Sequence, residues 1–425
     1  MVDARQILQP RFAYYKEVDT TSKLESVILT TRGKDAFRIS AGIMEYVEDL
    51  EDYKKENTHA EVEHVKDLYG IFGFYKKENK EYLILIEESS LMGPVLKCNI
   101  YRVDEVLVIP LQVKSNQEDD MFLGYIKNLV ADKSFYYSYN YNLTQTLQTT
   151  VKSFTQKEES KGLEKKGTSS DFWGPYQSKF VFNRPLFKQW DNQTNENLWQ
   201  YVVPVIYGYI FIHTIQFDQK KADFLVISKK DCNRLGRRFV SRGLDANGNA
   251  SNFVETEHVI VHNDHDTYRV ASYVQIRGSI PLLWTQTPTL KYSPKLKVDE
   301  DMKSNVSAAE KHFENTIESY GDHVLINLID KKGSQKTIGE KFTQLIDQMS
   351  NDKLKYVWFD FHHECRNMKY ENLSKLVDLI KDKIDSFDYF MAQLDYGLNE
   401  KSKLNLETCK IMCIQNGVLR TNCMD

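Results

Sequence analysis

The residues VLRTNCMD (418–425) decide how this chain is read. Val418 and Leu419 open a strand-like run that leads straight into a cysteine. A thiol at the end of a strand, where the chain turns toward a helix, faces backbone N–H groups and a helix N-terminus. Those groups lower its pKa and hold an oxyanion such as phosphate. Cys423 is therefore a candidate nucleophile, set against the plainer reading of a small buried apolar side chain.

Such a cysteine needs a sheet, and strand signals run along the chain. DLYGIFGFYKK (67–77) and YLILIEES (82–89) flank the polar KENKE and predict a hairpin. VLKCNIYRVDEVLVIPL (95–111) adds more strand, DDMFLGYIKNLVA (119–131) looks helical, and SFYYSYNYNLTQTLQ (134–148) is an aromatic strand and turn. TQKEESKGLEKKGTSS (155–170) is polar and aperiodic and reads as a mobile loop near a domain join. Beyond it, RRFVSRGLDANGNASNFVETEHVIV (237–261) predicts a hairpin on Asn247-Gly248, the type I′ pair. SAAEKHFENTIESYG (307–321) is a helix closed by Gly321, HVLINLID (323–330) and KYVWFDF (355–361) are apolar strands, and 371–394 has helical spacing. CKIMCIQNGVLRTNC (409–423) reads as two strands around Gln415-Asn416-Gly417.

At 425 residues the chain exceeds one compact core. The expected division is a β-rich domain over 1–183 and an α/β domain over 184–425, where strands alternate with helices. The net charge of −4 gives no whole-molecule attraction to nucleic acid, so none is expected as a partner, and an anionic ligand requires a local basic patch. KKDCNRLGRRFVSR (229–242) supplies Lys229, Lys230, Arg234, Arg237, Arg238 and Arg242 against a single acid, Asp231. Arg277 is a further cation. These are the candidates for contact with a head group or a membrane surface, against the plainer reading of a solvated hairpin face.

Six cysteines with no C-x-x-C pair favour reduced thiols. The most apolar run, YVVPVIYGYIFIH (201–213), is too short to cross a bilayer and reads as buried strand. FHHEC (361–365) places two histidines side by side, which cannot share one strand face, so no metal is expected there. DANGN (245–249) lacks the spacing and the closing Glu of a calcium loop.

RTNCMD resembles the opening of the R-T-N-C-x-D-C-L-D-R-T-N motif of the Sac-domain phosphoinositide phosphatases. SFYYSYNYNLTQTLQ, PVIYGYI, RRFVSRGLDANGNASNFVETE, QIRGSIPLLW, LINLIDKKG and FDFHHECRNMK are similar to that family's blocks, in its order. The nearest type is the membrane-resident Sac lipid phosphatase of the endoplasmic reticulum and Golgi. The resemblance implies a β-rich amino-terminal Sac domain followed by a C-x5-R cysteine-phosphatase domain, with no cofactor and no metal. Its implied reaction is hydrolysis of phosphatidylinositol 4-phosphate, and of the 3-phosphate lipid, through a cysteinyl phosphate on Cys423. Asp425 is one candidate for the acid that protonates the leaving inositol oxygen, the motif's second aspartate the other. Arg420 and Asn422 brace the loop. The motif's arginine falls six positions after Cys423, past Asp425, so residues 1–425 alone are expected to be inactive. Cys423 is expected at the end of a strand beside the FDFHHEC strand. A phosphoinositide lipid on the cytosolic face of those membranes is the implied partner, with trafficking proteins as others. The alternative is a Sac-like module that binds lipid or a partner without turnover; a phosphotyrosine phosphatase shares the loop chemistry but not the other blocks.

Overall fold

In a computed structural model of the chain, the described residues are 11–20, 25–31, 35–40, 43–77, 80–111, 117–157, 169–190, 196–217, 220–236, 240–264, 267–287, 295–398 and 404–422. In chain order they form β1 (Phe12–Asp19), β2 (Glu25–Thr30), β3 (Ala36–Ser40), β4 (Ile43–Val47), α1 (Leu50–Glu56), β5 (Ala60–Leu68), β6 (Gly70–Lys77), β7 (Lys80–Val95), β8 (Cys98–Pro110), α2 (Gln117–Ala131) and β9 (Phe135–Tyr137). Then come α3 (Leu147–Lys157), α4 (Ser169–Trp173), β10 (Ile206–Phe217), β11 (Lys220–Lys230), β12 (Val254–Asp264), β13 (Thr267–Arg277), β14 (Trp284–Gln286) and β15 (Leu296–Val298). The last elements are α5 (Met302–Tyr320), β16 (Asp322–Asn327), α6 (Gly333–Met349), β17 (Leu354–Trp358), α7 (Phe361–Glu364), α8 (Leu373–Phe387), β18 (Phe390–Leu398), β19 (Leu404–Cys413) and β20 (Gly417–Asn422). This is a mixed α/β chain. Contacts gather it into two units, one of residues 1–145, 160–209 and 402–404, the other of 146–159, 210–401 and 405–425.

The first unit is largely antiparallel sheet, in keeping with its aromatic content. One sheet has the order β4-β3-β2-β1-β5. A second run follows β6, β7, β8 and β9 as a meander, and Ile206 and Tyr207 of β10 pair with Tyr136 and Phe135 of β9. The expected hairpin of 67–89 is present, with Phe74 opposite Leu83 and Tyr75 opposite Tyr82. Its core is aromatic: Phe74, Trp173, Phe187, Trp190, Trp199 and Tyr201 belong to one buried cluster. Asn183, fully buried, donates to the carbonyls of Phe72 and Val203 and accepts from Val205 N–H. It satisfies backbone groups that would otherwise be stranded in an apolar interior. Of the polar stretch 155–170, the part at 158–168 lies outside the described residues, while 155–157 close α3 and Ser169 opens α4.

In the second unit β11, β12 and β13 are antiparallel, and the sheet continues through β20, β16 and β17, each pair parallel. β13 is thus antiparallel on one side and parallel on the other; β18 also pairs with its first half. Val324 and Ile326 face Ile380 and Phe387 of α8 in one cluster. On the opposite face α5 buries Ala308, Ala309 and Phe313, and α6 buries Ile338, Phe342 and Leu345. Phe313 meets His323 of β16, and Phe342 meets Tyr356 of β17. A strand covered on both faces reads as a continuous apolar run, which is why HVLINLID looks buried throughout.

Three expectations are corrected. The helical spacing of 371–394 holds only to Phe387; Asp388 has φ of 55°, and Phe390–Leu398 is strand. The hairpin on Asn247-Gly248 is not type I′, because Asn247 is not among the positive-φ residues. Asp245 instead accepts from the N–H groups of Asn247 and Asn249, and a single bridge joins Leu244 to Ala250. A short carboxylate competes with the strand ladder for backbone donors. The apolar run at 201–213 becomes strand only from Ile206, and Tyr209 and Phe211 are exposed rather than buried.

Gly321 closes α5 as expected, with φ of 78°. A Cβ there would fall 2.1 Å from the Asn416 carbonyl oxygen, which leads into β20. Gly321→Ala should therefore combine backbone strain with a clash against main chain. We predict a loss of about 2–4 kcal/mol, read from urea unfolding.

Candidate functional site

The carboxyl ends of β20, β16, β17 and β13 share one edge of the sheet, because the four strands run in parallel. Ligands of open α/β sheets bind in crevices beyond such an edge. β20 ends at Asn422, the residue before Cys423. Cys423 and Asp425 themselves lie outside the described residues, as do Arg237 and Arg238. The strand nearest to β20 on that side is β16, which stands between β20 and the FDFHHEC strand β17. The expected direct adjacency to β17 is corrected accordingly.

The last turn of β20 is held by side chains. Arg420 is fully buried; its Nη2 donates to the Ser279 carbonyl at 2.8 Å and its Nη1 to Asn422 Oδ1 at 3.3 Å. Burial pushes its pKa down to about 10. Asn422 Nδ2 donates to Asn327 Oδ1 at 2.8 Å, and Asn327 Nδ2 to the Tyr356 hydroxyl at 2.9 Å. Leu328 N–H donates to the Asn422 carbonyl. A relay of amides and a guanidinium thus ties the ends of β13, β20, β16 and β17 to one another.

The loops beyond these ends are cross-tied as well. Asp360, buried, accepts from Lys331 N–H at 2.8 Å and from His363 N–H at 3.0 Å. His362 Nδ1 lies 2.7 Å from Asp330 Oδ1. The Trp358 indole donates to the Ile329 carbonyl at 2.9 Å. Lys331 and Lys332 are exposed at the start of α6. Asn327, Asp330, Asp360 and Ser279 were not singled out from sequence, although each sits inside a quoted block; nothing in a single sequence distinguishes a bracing Asp from a solvated one.

The predicted cations separate sharply. Lys229 is fully buried, 2.8 Å from Glu255. Arg242 is buried, bonded to Gln286 and lying over the Trp284 ring. Arg234 donates to Ser251 Oγ at 2.7 Å and to the Arg242 carbonyl at 2.9 Å. Lys230 and Arg277 both pair with Val254 of β12, from its two sides. They therefore share one sheet face, and Arg277 is opposite Thr421 of β20. Arg277 is exposed and Lys230 half-buried. Lys230 has its pKa lowered, by burial first and then by Arg277. Of the described candidate cations, Arg277 is brought beside the end of β20 and Lys230 stands on the same face two strands away, whereas Lys229 and Arg242 are enclosed and Arg234 is half-buried.

A family profile described as the SacI homology domain matches residues 69–366. The match covers most of the chain, and the protein belongs to that family. Among relatives, phosphatidylinositol-3-phosphatase SAC1-B of Danio rerio is 31% identical over 367 residues, covering 85% of this chain and 58% of the relative. The SAC1 phosphatidylinositol-3-phosphatase of Saccharomyces cerevisiae is 29% identical over 85% of this chain and 55% of its own length. Phosphoinositide phosphatase SAC7 of Arabidopsis thaliana is 28% identical over 100% of this chain and 66% of its own. The chain thus spans less than two thirds of the length of the relatives it matches.

Buried ionisable groups behind the edge make a test of the geometry. Glu257, fully enclosed, accepts from Leu147 N–H at the start of α3, and burial raises its pKa from 4.5 to about 7. Its neighbour Glu255 holds Lys229 and the Tyr320 hydroxyl. His323, enclosed in β16, is pushed by burial from 6.5 to about 4. The two act in opposite senses. The folded state binds more protons than the unfolded at Glu257, so its contribution is full below about 4.5 and is lost as pH rises through about 7. The folded state binds fewer at His323, so stability there is lost as pH falls from 6.5 toward 4. Glu257→Gln should leave the His323 dependence uncompensated. Its melting temperature should fall more steeply than that of the native protein between pH 7 and 5.

Proposed function

We propose that the protein hydrolyses the phosphomonoester of phosphatidylinositol phosphates, the 4-phosphate and also the 3-phosphate, through a cysteinyl-phosphate intermediate on Cys423. The observation that carries this reading is β20, braced by Arg420 and Asn422 and ending one residue before Cys423 at the carboxyl edge of parallel strands. The printed names of the relatives, phosphatidylinositol-3-phosphatase and phosphoinositide phosphatase, support the substrate class.

In the first step the Cys423 thiolate attacks phosphorus, the S–P bond forms and the bond to the inositol oxygen breaks. An acid, for which Asp425 is one candidate, delivers a proton to the departing oxygen. In the second step water attacks phosphorus, inorganic phosphate leaves and the thiolate returns. Two lower barriers replace one high barrier. Arg277 stands beside Thr421, with Lys230 two strands further along the same face, and the two would draw the anionic head group toward the strand end. Residues 184–425 are assigned the chemistry, and residues 1–183 the docking of trafficking proteins. The cytosolic face of endoplasmic reticulum and Golgi membranes is the place of action in this reading.

The test is phosphate release, by the protein carried on through the motif's arginine, from vesicles holding phosphatidylinositol 4-phosphate or 3-phosphate. Cys423→Ser should abolish turnover on both, a loss of at least about 10³-fold, with an unchanged unfolding transition. Turnover by the Ser variant at the native rate would overturn the nucleophile assignment. Arg277→Glu should raise KM on vesicles several-fold and leave kcat within about twofold.

A further inference from the structure

The stretch Arg366–Tyr370 follows β17 and α7, so it stands at the same carboxyl edge to which β20 delivers Asn422. Its backbone is unusual. Asn367 and Met368 both have φ of 60°. Asn enters this left-handed region readily, but Met does so only against a steric cost. The two turns send the chain outward: Met368 is 74% exposed and Tyr370 52%. A strained backbone that displays a methionine to solvent is a feature to be explained by what it meets.

The base from which this tip projects is rigid. Asn372 Nδ2 donates to the Glu364 carbonyl, Cys365 N–H to the Phe361 carbonyl, and Asp360 ties the base to the loop after β16. Around the tip Arg366 and Lys369 are exposed, and Lys331 and Lys332 are exposed on the neighbouring loop. The nearby acids are largely engaged: Glu364 pairs with Lys375 at 2.9 Å and Asp330 with His362 at 2.7 Å. Glu371, also exposed, is the opposing charge within the tip itself. An apolar thioether and a phenol ring, one end apolar and one wet, set in a collar of cations suit the boundary between lipid head groups and acyl chains.

We propose that Met368 and Tyr370 enter the head-group region of an anionic bilayer while Arg366 and Lys369 engage its phosphates. The edge of the sheet is thereby turned toward the membrane. The use of this docking for catalysis rests on the reading of that edge as the phosphatase site; the docking itself does not.

The experiment is co-sedimentation of the chain with phosphatidylcholine vesicles, with and without phosphatidylserine and free of any phosphoinositide. The native chain should pellet with the phosphatidylserine vesicles. Met368→Ser combined with Tyr370→Ser should weaken that binding about tenfold or more, given the apolar area withdrawn. Arg366→Glu combined with Lys369→Glu should abolish the dependence on phosphatidylserine. Both variants should unfold at the native temperature, since none of the four side chains is packed in the core. A native chain that stays in the supernatant, or double variants that pellet like the native chain, would overturn the proposal. Because no phosphoinositide is present, the result stands apart from phosphatase activity: Cys423→Ser should still bind these vesicles.

Discussion

The parallel pairing of β20 with β13 on one side and β16 on the other is the constraint on which the rest of the second unit depends. It places the strand that ends before Cys423 between two neighbours, so its direction and register are set twice. Thr421 is held level with Arg277 and Ile326, and Asn422 level with Asn327. A slip of one residue would turn Arg420 from the face of α5 and α6 to the face of α8, stranding a guanidinium among Ile380 and Phe387. The hydrogen bonds of Arg420 to Ser279 and Asn422 thus act as a register pin as well as a brace.

Much of this architecture is legible in the residues. β16 and β17 announce themselves as short apolar runs because helices cover both faces, and Gly321 marks the end of α5, although its start at Met302, capped by Asp301, lies before the Ser307 read from the sequence. Other parts are hidden for definite reasons. Helical spacing after Asn372 persists by chance into Phe390–Leu394, and only the left-handed Asp388 ends the helix. The stretch 229–242 looks like one basic patch because counting charges ignores the pleat. Lys229 and Lys230 are adjacent on β11 and therefore point to opposite faces, one into the core and one out of it. The amide relay from Asn422 through Asn327 to Tyr356 joins residues from three strands, and no local pattern could reveal it.

The interior of the second unit holds several ionisable groups that are paired with one another or with backbone. Lys229 and Glu255 neutralise one another, Tyr320 adds a donor, and Glu257 closes the N-terminus of α3. Such groups cost more to bury than apolar side chains of like size, and removing one partner leaves the other stranded. What they provide is direction. Leu147 N–H reaches both carboxylate oxygens of Glu257, which ties the start of α3 to β12.

The chain separation of the paired strands bears on how the protein is made. Ser279 and Arg420 touch across 141 residues of sequence. During synthesis β13 and β16 emerge well before the strand that belongs between them, and neither can complete its parallel ladder until β20 leaves the ribosome. Loop closure of that span is slow, and open strand edges are sticky in the interval. The nascent chain therefore carries an unfilled slot between β13 and β16 until β20 is made.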